Sequence, residues 1–408
     1  MSPPPGLSAR RERWLLLTLA AINFTHIVDF MVMMPLGPQF TALFSISDAQ
    51  FGLLVSAYTL AAGASGLFAT TYVDRFERKT LLLRLYAGFA LATLACGLAP
   101  TYATLMLARL CAGLCGGVLG ALVQTIVGDA IPFERRGRAM GFVMTAFSLA
   151  TVAGVPASLW LATAVSWHAP FIGIAALSLV IGAAALWTLP RLGDHLVAKV
   201  QGASPVASLL AVLREANHWR AFTLTTLMMA GGFSIPPYLT IYATTNLKIP
   251  MAQIPLIYLA GGVATIFSSR LWGVLTDRWG KVQTFRLVSL GAIVPMLAVT
   301  HLSAPGLAGY LVVTTLLFIF MSGRMVPGMA IITSATAGPL RGTFMSLNGA
   351  VQSLAMGVAA FAGGALIHRD AAGQVQGYGH AGWLAAVLTL LSVAWVTRVR
   401  LNRVALPA

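Results

Sequence analysis

The segment GVLTDRWGK, at residues 273–281, is the most informative about the fold, because a related basic segment, DRFERK, occurs at residues 74–79. Each segment follows a long apolar run, and the two Asp-Arg pairs are 203 residues apart. A second pair of loops, RGRAM at 136–140 and RGTFM at 341–345, repeats at an offset of 205 residues. Two loops that recur at nearly the same offset indicate an internal duplication. The sequence therefore predicts two similar halves.

The composition predicts that the chain lies in a membrane. Hydrophobic residues make up 58% of the 408 residues, charged residues 9%, and the mean hydropathy is +0.83, whereas a soluble domain has about one quarter charged residues. Twelve apolar runs come close to the roughly 20 residues that a helix needs to cross the hydrocarbon, and barrel strands would be half as long and alternating. We expect an all-α integral membrane protein of 12 transmembrane helices in two pseudo-symmetric six-helix bundles.

The predicted spans divide evenly between the two halves. They lie at 14–36, 50–72, 81–98, 102–130, 139–161, 168–189, 219–242, 252–275, 285–301, 307–334, 343–367 and 382–396. We expect the N-terminal bundle at residues 1–190, a cytoplasmic linker at 191–218 and the C-terminal bundle at 219–408. Two such bundles can rock against each other around a central site, which is how many secondary transporters move solute.

The net charge of +15 reflects a one-sided distribution of basic residues. Of the 26 Lys and Arg, 21 fall in one set of alternate loops and ends, two (Lys248, Arg369) in the other set, and three (Arg109, Arg270, Arg324) inside predicted spans. This positive-inside pattern argues against a nucleic-acid partner. It predicts cytoplasmic termini and a multi-pass membrane protein. The first apolar run is longer than the roughly 7 to 15 residues of a signal peptide, so we expect it to remain as the first span.

The segment at 273–281 resembles the loop signature of the major facilitator superfamily, which is Gly, three variable residues, Asp-Arg, one variable residue, Gly, then Arg or Lys. The first copy has Thr70 and Glu77 where the family usually has glycines, so a tight turn is less expected there. The resemblance implies a gating role for the loop residues Asp74, Arg75, Arg78, Lys79, Gly273, Asp277, Arg278, Gly280 and Lys281. Independently, an aspartate at a helix end can accept hydrogen bonds from a neighbouring helix N-terminus. The alternative is solvated loop charges that only set the topology.

The resemblance covers nearly the whole chain, through RLCAG at 109–113, DAIPFERRG at 129–137 and GVP at 154–156. GVP looks like the span-five signature of proton-driven efflux members, and the overall pattern is similar to bacterial arabinose and sugar efflux-type facilitators and drug:proton antiporters. The resemblance therefore implies export. Gly113, Gly154 and Pro156 are candidates for hinge or packing positions, because small residues and proline allow close helix approach and local bending.

Asp29 is the most informative single residue, because it lies well inside the first span. A carboxylate there costs a few kcal/mol and usually serves ions, protons or substrate. Asn23, His26 and Asp29 follow at i, i+3 and i+6 on one helix face. We hypothesise that Asp29 binds and releases a coupling proton, modulated by His26 or by a basic residue of another span. The alternative is a structural ion pair, and the resemblance implies that Arg109 takes part in proton transfer.

Arg324, Gln124 and Tyr58 are candidate substrate contacts. A guanidinium can offer two donors to a carboxylate or another anion. For Arg324 an equally good interpretation is a packing arginine bonded to backbone carbonyls freed by Pro327. Arg270 lies close to the cytoplasmic end of its span, where a long side chain can reach water.

These observations favour a secondary active transporter that exports a small organic solute, sugar-like or drug-like, in exchange for protons. The alternatives are a proton symporter or a facilitative uptake permease and, from another class, a non-transporting receptor or assembly factor on the same fold. No phosphate-binding loop or metal-ligand cluster occurs, and packing explains the three cysteines, so we expect no enzyme, no cofactor and no metal. The expected partners are a small-molecule substrate, protons and the lipid bilayer, with the protein working as a monomer.

Overall fold

The computed structural model describes residues 8–190, 192, 205–303, 306–336 and 340–401, apart from the side chains of seven residues in these ranges. In this part of the chain, eleven helices are long and apolar enough to cross a membrane, and a twelfth span is interrupted. The all-α membrane fold predicted from the sequence is confirmed. Spans 1 to 6 are Ala9–Val32, Asp48–Tyr72, Arg78–Gly97, Tyr102–Ala130, Phe133–Leu149 continued by Ala150–Gly154 and Val155–Ala164, and His168–Thr188. Spans 8 to 12 are Ile254–Trp279, Lys281–His301, Gly306–Thr333, Arg341–Ala365 and Tyr378–Trp395.

Span 7 is the interrupted one. It consists of Ala216–Phe233, a 3-10 turn at Pro236–Tyr238 and a short helix at Leu239–Thr245. The sequence predicted one continuous run here, and this was wrong because two successive prolines lack the N–H groups that a continuous helix needs. Tyrosines of other spans bind carbonyls at the break: Tyr378 donates to the carbonyl of Ile235 at 3.1 Å, and Tyr310 donates to that of Leu239 at 2.9 Å.

Three shorter elements lie outside the spans. A helix at Gly37–Leu43 follows span 1, and a helix at Pro205–Arg214 precedes span 7. Within the predicted linker at 191–218, residues 191 and 193–204 lie outside the described residues. A hairpin between spans 11 and 12 pairs His368–Arg369 with Val375–Gln376.

The turn of this hairpin is organised by Asp370. Its carboxylate accepts hydrogen bonds from the Gln376 side chain at 2.9 Å and from the backbone N–H groups of Gln374 and Ala372 at 2.8 and 3.0 Å. These bonds, that of Gln376 first, lower the pKa of Asp370. Asn246, at the end of span 7, donates to the carbonyl of Val375 and accepts from its N–H, both at 2.8 Å. The hairpin is therefore attached to the outer piece of span 7.

The two halves meet along two pairs of spans. Span 2 packs on span 11 and span 5 on span 8. Small residues allow the close approach: a Cβ added to Gly357 would lie 2.7 Å from Leu60, and one added to Gly262 would lie 2.9 Å from Val152. Such contacts between small residues are typical of helix packing in membranes.

The two ends of the bundle differ. The basic end carries the loops at 74–79 and 273–281, and the outer end carries the helix at Gly37–Leu43 and the hairpin. At the outer end Arg369 donates two hydrogen bonds of 3.0 Å to Asp48, which joins the halves. Nearby, Ser56 of span 2 donates to the carbonyl of Gly357 in span 11 at 2.8 Å. The halves are closed against each other at the outer end.

Candidate functional site

The centre of the N-terminal bundle is an ion pair between span 1 and span 4. Arg109 Nη1 lies 2.8 Å from Asp29 Oδ2, and both side chains are fully buried. The same Nη1 lies 3.4 Å from the Asp29 carbonyl, and Thr93 of span 3 donates to Asp29 Oδ1 at 3.1 Å. Breaking a buried pair by removing one partner typically costs about 3–5 kcal/mol, because the other charge stays buried. The pair therefore ties three spans together as long as both charges persist.

Several polar atoms around the pair have no hydrogen-bond partner in the described part of the chain. They are Nε and Nη2 of Arg109, the hydroxyl of Tyr58 and Nδ1 of His26. The Tyr58 ring covers the guanidinium at 4.4 Å from its centroid, a cation–π geometry. Buried polar groups are normally satisfied, and unsatisfied ones call for an explanation such as a catalytic or transport role.

His26 and Tyr58 meet at Gly116 of span 4. A Cβ at Gly116 would lie 2.3 Å from the Tyr58 hydroxyl and 3.0 Å from His26 Nε2. Both side chains therefore depend on glycine at this position. His26 is half-buried, whereas Asp29 is fully buried. His26 is the partly accessible member of the cluster.

The pair lies in the outer part of the bundle. Thr93 stands four residues before the outer end of span 3, and Arg109 seven residues after the outer start of span 4. At 1.5 Å per residue these positions are about 6 Å and about 10 Å from the helix ends. Phe30, one residue after Asp29, stacks on Tyr58 at 5.6 Å and on Phe233 of span 7 at 5.7 Å. This aromatic stack connects the cluster to the opposite half.

Close helix approach holds the cluster in place. A Cβ at Gly113 would lie 2.3 Å from the backbone carbonyl of Tyr58, and one at Gly154 would lie 2.4 Å from Val28. Span 4 therefore touches span 2, and span 5 touches span 1, through glycines that the sequence singled out. Gly154 and Pro156 stand where the π-helical turn Ala150–Gly154 meets Val155–Ala164, so the hinge prediction falls on an irregular part of span 5. Their hinge role remains a prediction.

Arg324 lies separately, inside the C-terminal bundle. It is 2% exposed, and its Nη1 donates to the hydroxyl of Thr389 in span 12 at 3.3 Å. Its Nε has no partner among the residues in the structure. Among the described residues, Arg324 makes no hydrogen bond to a carbonyl freed by Pro327, which was one of its two interpretations, because its side chain reaches toward spans 7 and 12.

The remaining candidates are dispersed. Asn23 is 7% exposed, and Gln124 is exposed. The structure thus brings together Asp29, His26, Arg109 and Tyr58, the last of which we had expected at a substrate contact. It leaves Gln124 and Arg324 apart from them. Sequence reasoning missed Thr93, because a threonine in an apolar run gives no signal of its own.

The two signature loops are built differently. In the second copy Gly280 has φ +87°, a left-handed conformation that glycine adopts most readily. In the first copy Glu77 has φ −62° and caps span 3, accepting from the N–H groups of Lys79 and Thr80 at 3.0 and 2.8 Å. Burial raises the pKa of Glu77, but hydrogen bonds from Thr80, Leu192 and Lys79 outweigh this and lower it. The tight turn of the second copy is thus replaced by a cap in the first.

The basic residues of these loops bind within their own halves. Arg78 contacts Asp129 at 3.3 Å, Lys79 donates to the carbonyl of Leu186 at 2.7 Å, and Lys281 donates to Ser334 at 2.8 Å. Arg75 ends the 3-10 turn Val73–Arg75 and Gly273 lies within the helix of span 8, whereas the Asp74 side chain lies outside the described residues.

Asp277 and Arg278 are exposed at the end of span 8. Among the residues described in this structure, Asp277 does not accept the expected hydrogen bond from a neighbouring helix N-terminus. A Cβ at Gly273, Gly128 or Gly342 would meet nothing within 4 Å. The gating role of the loops at the basic end remains a prediction.

Comparisons with known proteins agree on the family. The family model described as Major Facilitator Superfamily matches residues 19–360. The chain is 26% identical to the inner membrane transport protein YdhP of Escherichia coli over 79% of this chain and 80% of that protein. It is 23% identical to multidrug resistance protein 2 of Bacillus subtilis over 85% and 87% of the two chains. A crystal structure of a D-xylose–proton symporter matches with a TM-score of 0.78 and 15% identity over 97% of this chain and 99% of that one.

Proposed function

Because the chain belongs to the major facilitator superfamily of membrane transporters, we propose that it exports a small organic solute in exchange for protons. The observation that carries the proton part is the fully buried pair of Asp29 and Arg109, surrounded by unsatisfied polar atoms. An acid within a membrane span usually serves ions, protons or substrate. A transporter that only equilibrates its solute has no need for such a group.

The coupling step that we propose is the protonation of Asp29. A neutral carboxyl group no longer attracts Arg109 as a charge, so the bonds that hold spans 1, 3 and 4 together weaken. The free guanidinium then interacts with Tyr58, which already covers it at 4.4 Å. Since Tyr58 and Phe233 both stack on Phe30, a change at the pair is transmitted to the contact between the halves. Protonation thereby biases which side is open.

His26 supplies the route for the proton. It is the half-buried member of the cluster, and its Nδ1 is without a partner in the described structure. An imidazole can accept a proton at one nitrogen and release one from the other. We propose that His26 passes protons between the accessible part of the bundle and Asp29, with Asn23 on the same helix face.

The membrane orientation follows from the charges. We propose that the basic end faces the cytoplasm of a bacterial inner membrane, with both termini on that side. The ion pair then lies toward the periplasm, where protons enter when the outer contact opens. Export is supported by GVP at 154–156 and by a relative named as a multidrug resistance protein. The solute leaves through the outer end, and the proton enters there.

The proposal can be tested without knowing the solute. A cysteine-free protein carries spin labels at Ala42, in the outer helix of the first half, and Ala371, in the hairpin of the second. In liposomes, lowering the pH from about 8 to about 6 should populate a longer distance in the parent protein. Asp29→Asn, a mimic of the protonated state, should show the longer distance at both pH values. Glu215→Gln, which changes an exposed acid before span 7, is the matched control and should behave as the parent.

A second measurement addresses transport itself. Vesicles that contain the reconstituted protein and an internal pH dye are exposed to gradients of sugars, organic acids and cationic drugs. A solute-driven pH change that Asp29→Asn abolishes supports proton exchange, and an unchanged flux in this variant contradicts it. The sign of the pH change separates exchange from the alternative of symport. Solute movement without any proton flux indicates facilitative uptake.

A further inference from the structure

The C-terminal bundle contains a buried positive charge without a negative partner. Between Trp219 and the end of the chain the sequence has two acidic residues, Asp277 and Asp370. Asp277 is exposed near the basic end of span 8, and Asp370 lies in the hairpin at the outer end. Arg324 stands nine residues, about 13 Å, from the basic end of span 10. No acid of this bundle is in position to neutralise it.

Arg324 lacks the carboxylate partner that Arg109 has. Both arginines are buried, but Arg109 has a carboxylate at 2.8 Å, whereas Arg324 has a threonine hydroxyl at 3.3 Å. An arginine at the centre of a membrane helix costs about 2.5–3.5 kcal/mol on insertion scales. A position that keeps this charge without a counter-ion is suited to a ligand that brings one.

The surroundings of Arg324 offer donors and space for the guanidinium. A Cβ at Gly232 of span 7 would lie 2.2 Å from Arg324 Nη2, so only glycine allows this approach. The indole Nε1 of Trp272 in span 8 lies against Gly323, the residue before Arg324. Both Trp272 Nε1 and Arg324 Nε are buried N–H donors without an acceptor in the described chain. Two such donors, one of them charged, are suited to the oxygens of an anionic group.

The location is compatible with a central site. Phe233, next to Gly232, stacks across the halves on Phe30. Arg324 therefore contacts span 7 one residue away from the surface where the two bundles meet. Trp272 and Arg324 lie in the half of the bundle toward the basic end.

We propose that Arg324, supported by Trp272 and Thr389, binds the carboxylate of an anionic organic solute. This inference rests on the proposed transport function and names the substrate class. The proton site and the anion site then lie in different halves, the first with its own acid and the second without one. The solute supplies the missing negative charge.

The test uses purified full-length protein and pairs of probes that differ in charge: benzoate and benzamide, lactate and lactamide, gluconate and glucose. Binding is followed by thermal stability and by tryptophan fluorescence, because a ligand of the native state raises its melting temperature. We expect the carboxylate of at least one pair to bind and its neutral partner not to. Arg324→Gln should weaken that binding about 10- to 100-fold. Arg270→Gln, which removes an exposed arginine of span 8, is the matched control and should bind as the parent does.

A second variant and a measurement without ligand test the anion site further. Gly232→Ala retains the charge but places a methyl group against Nη2, so it should also weaken carboxylate binding. Without ligand, Arg324→Gln should melt no lower than the parent protein, because it removes an uncompensated charge. A lower melting temperature, neutral probes that bind as well as carboxylates, or carboxylate binding that survives both substitutions would overturn the inference. Binding of the probes requires no proton movement, so this result is independent of the Asp29 test.

Discussion

Removing the bond between Arg369 and Asp48 should change the ratio of open to closed states at the outer end by an amount that follows from the structure. Arg369 donates from Nε and Nη2 to both carboxylate oxygens of Asp48, each at 3.0 Å. Asp48 belongs to span 2 and Arg369 to the hairpin of the other half, so outward opening must separate them. The hydrogen bond to Asp48 raises the pKa of Arg369, so the arginine stays charged at every pH used in transport assays.

The expected magnitude follows from the unequal burial of the partners. The Asp48 side chain is 1% exposed and that of Arg369 38% exposed. Exposed pairs contribute about 0.2–1 kcal/mol, and removing one partner of a buried pair costs about 3–5 kcal/mol. Arg369→Gln leaves the buried carboxylate alone, and we expect a loss of about 2 kcal/mol from the closed state, or about 30-fold in the ratio of open to closed. Asp48→Asn leaves an arginine that can reach water, and we expect about 1 kcal/mol or less, at most about fivefold.

The assay is the distance between spin labels at Ala42 and Ala371 in liposomes. Arg369→Gln should shift the population toward the long distance more than Asp48→Asn does. The double variant should be less shifted than Arg369→Gln alone, because it leaves no charge unpaired. A larger effect of Asp48→Asn, or equal populations in all variants, would refute the assignment of this bond as a closing contact.

Three other predictions concern packing, charge and pH. Gly113→Ala should lower the free energy of unfolding by about 1–3 kcal/mol, because its methyl group would lie 2.3 Å from a backbone carbonyl; Gly120→Ala, where nothing lies within 4 Å, should be neutral or slightly stabilising in the same melting experiment. Arg109→Gln should destabilise by about 3–5 kcal/mol, and adding Asp29→Asn should restore most of this in a double-mutant cycle. Hydrogen bonds from Gln376, Gln374 and Ala372 lower the pKa of Asp370 in the folded hairpin, so its contribution to stability is present above the pKa of the unfolded chain and is lost as the pH falls through the lowered pKa; the protection factors of the hairpin amides should therefore fall only at acidic pH.

The fold was predictable because it depends on the length of apolar runs and on the placement of charges. The break in span 7 was not, although its two prolines are visible in the sequence. Proline is tolerated inside a membrane helix when neighbours satisfy the freed backbone groups. Here the hydroxyls of Tyr310 and Tyr378, far along the chain, bind carbonyls at the break. The outcome at the prolines therefore depends on tertiary contacts that no local pattern reveals.

The candidate site was predictable where charge marks a residue. Asp29 and Arg109 stood out as charges within apolar runs, but their pairing across 80 residues is a property of the packed bundle. Thr93 and the position of Tyr58 over the guanidinium carry no sequence signal, because both residue types are common in spans. The capping role of Glu77 was likewise hidden, since the comparison with the repeat suggested only a missing glycine. The structure shows that the Glu77 carboxylate caps span 3 by accepting hydrogen bonds from the N–H groups of Lys79 and Thr80.

Because the hairpin is attached to the outer piece of span 7, a ligand that binds this external loop also acts on part of a transmembrane span. Two hydrogen bonds of 2.8 Å between Asn246 and Val375 connect the hairpin to the outer piece of span 7. The 3-10 turn Pro236–Tyr238 separates this piece from the longer helix Ala216–Phe233. A nanobody that binds the hairpin from outside would therefore immobilise residues 236–245, about one third of span 7. An inhibitor of this carrier does not have to enter the bilayer or compete with its cargo.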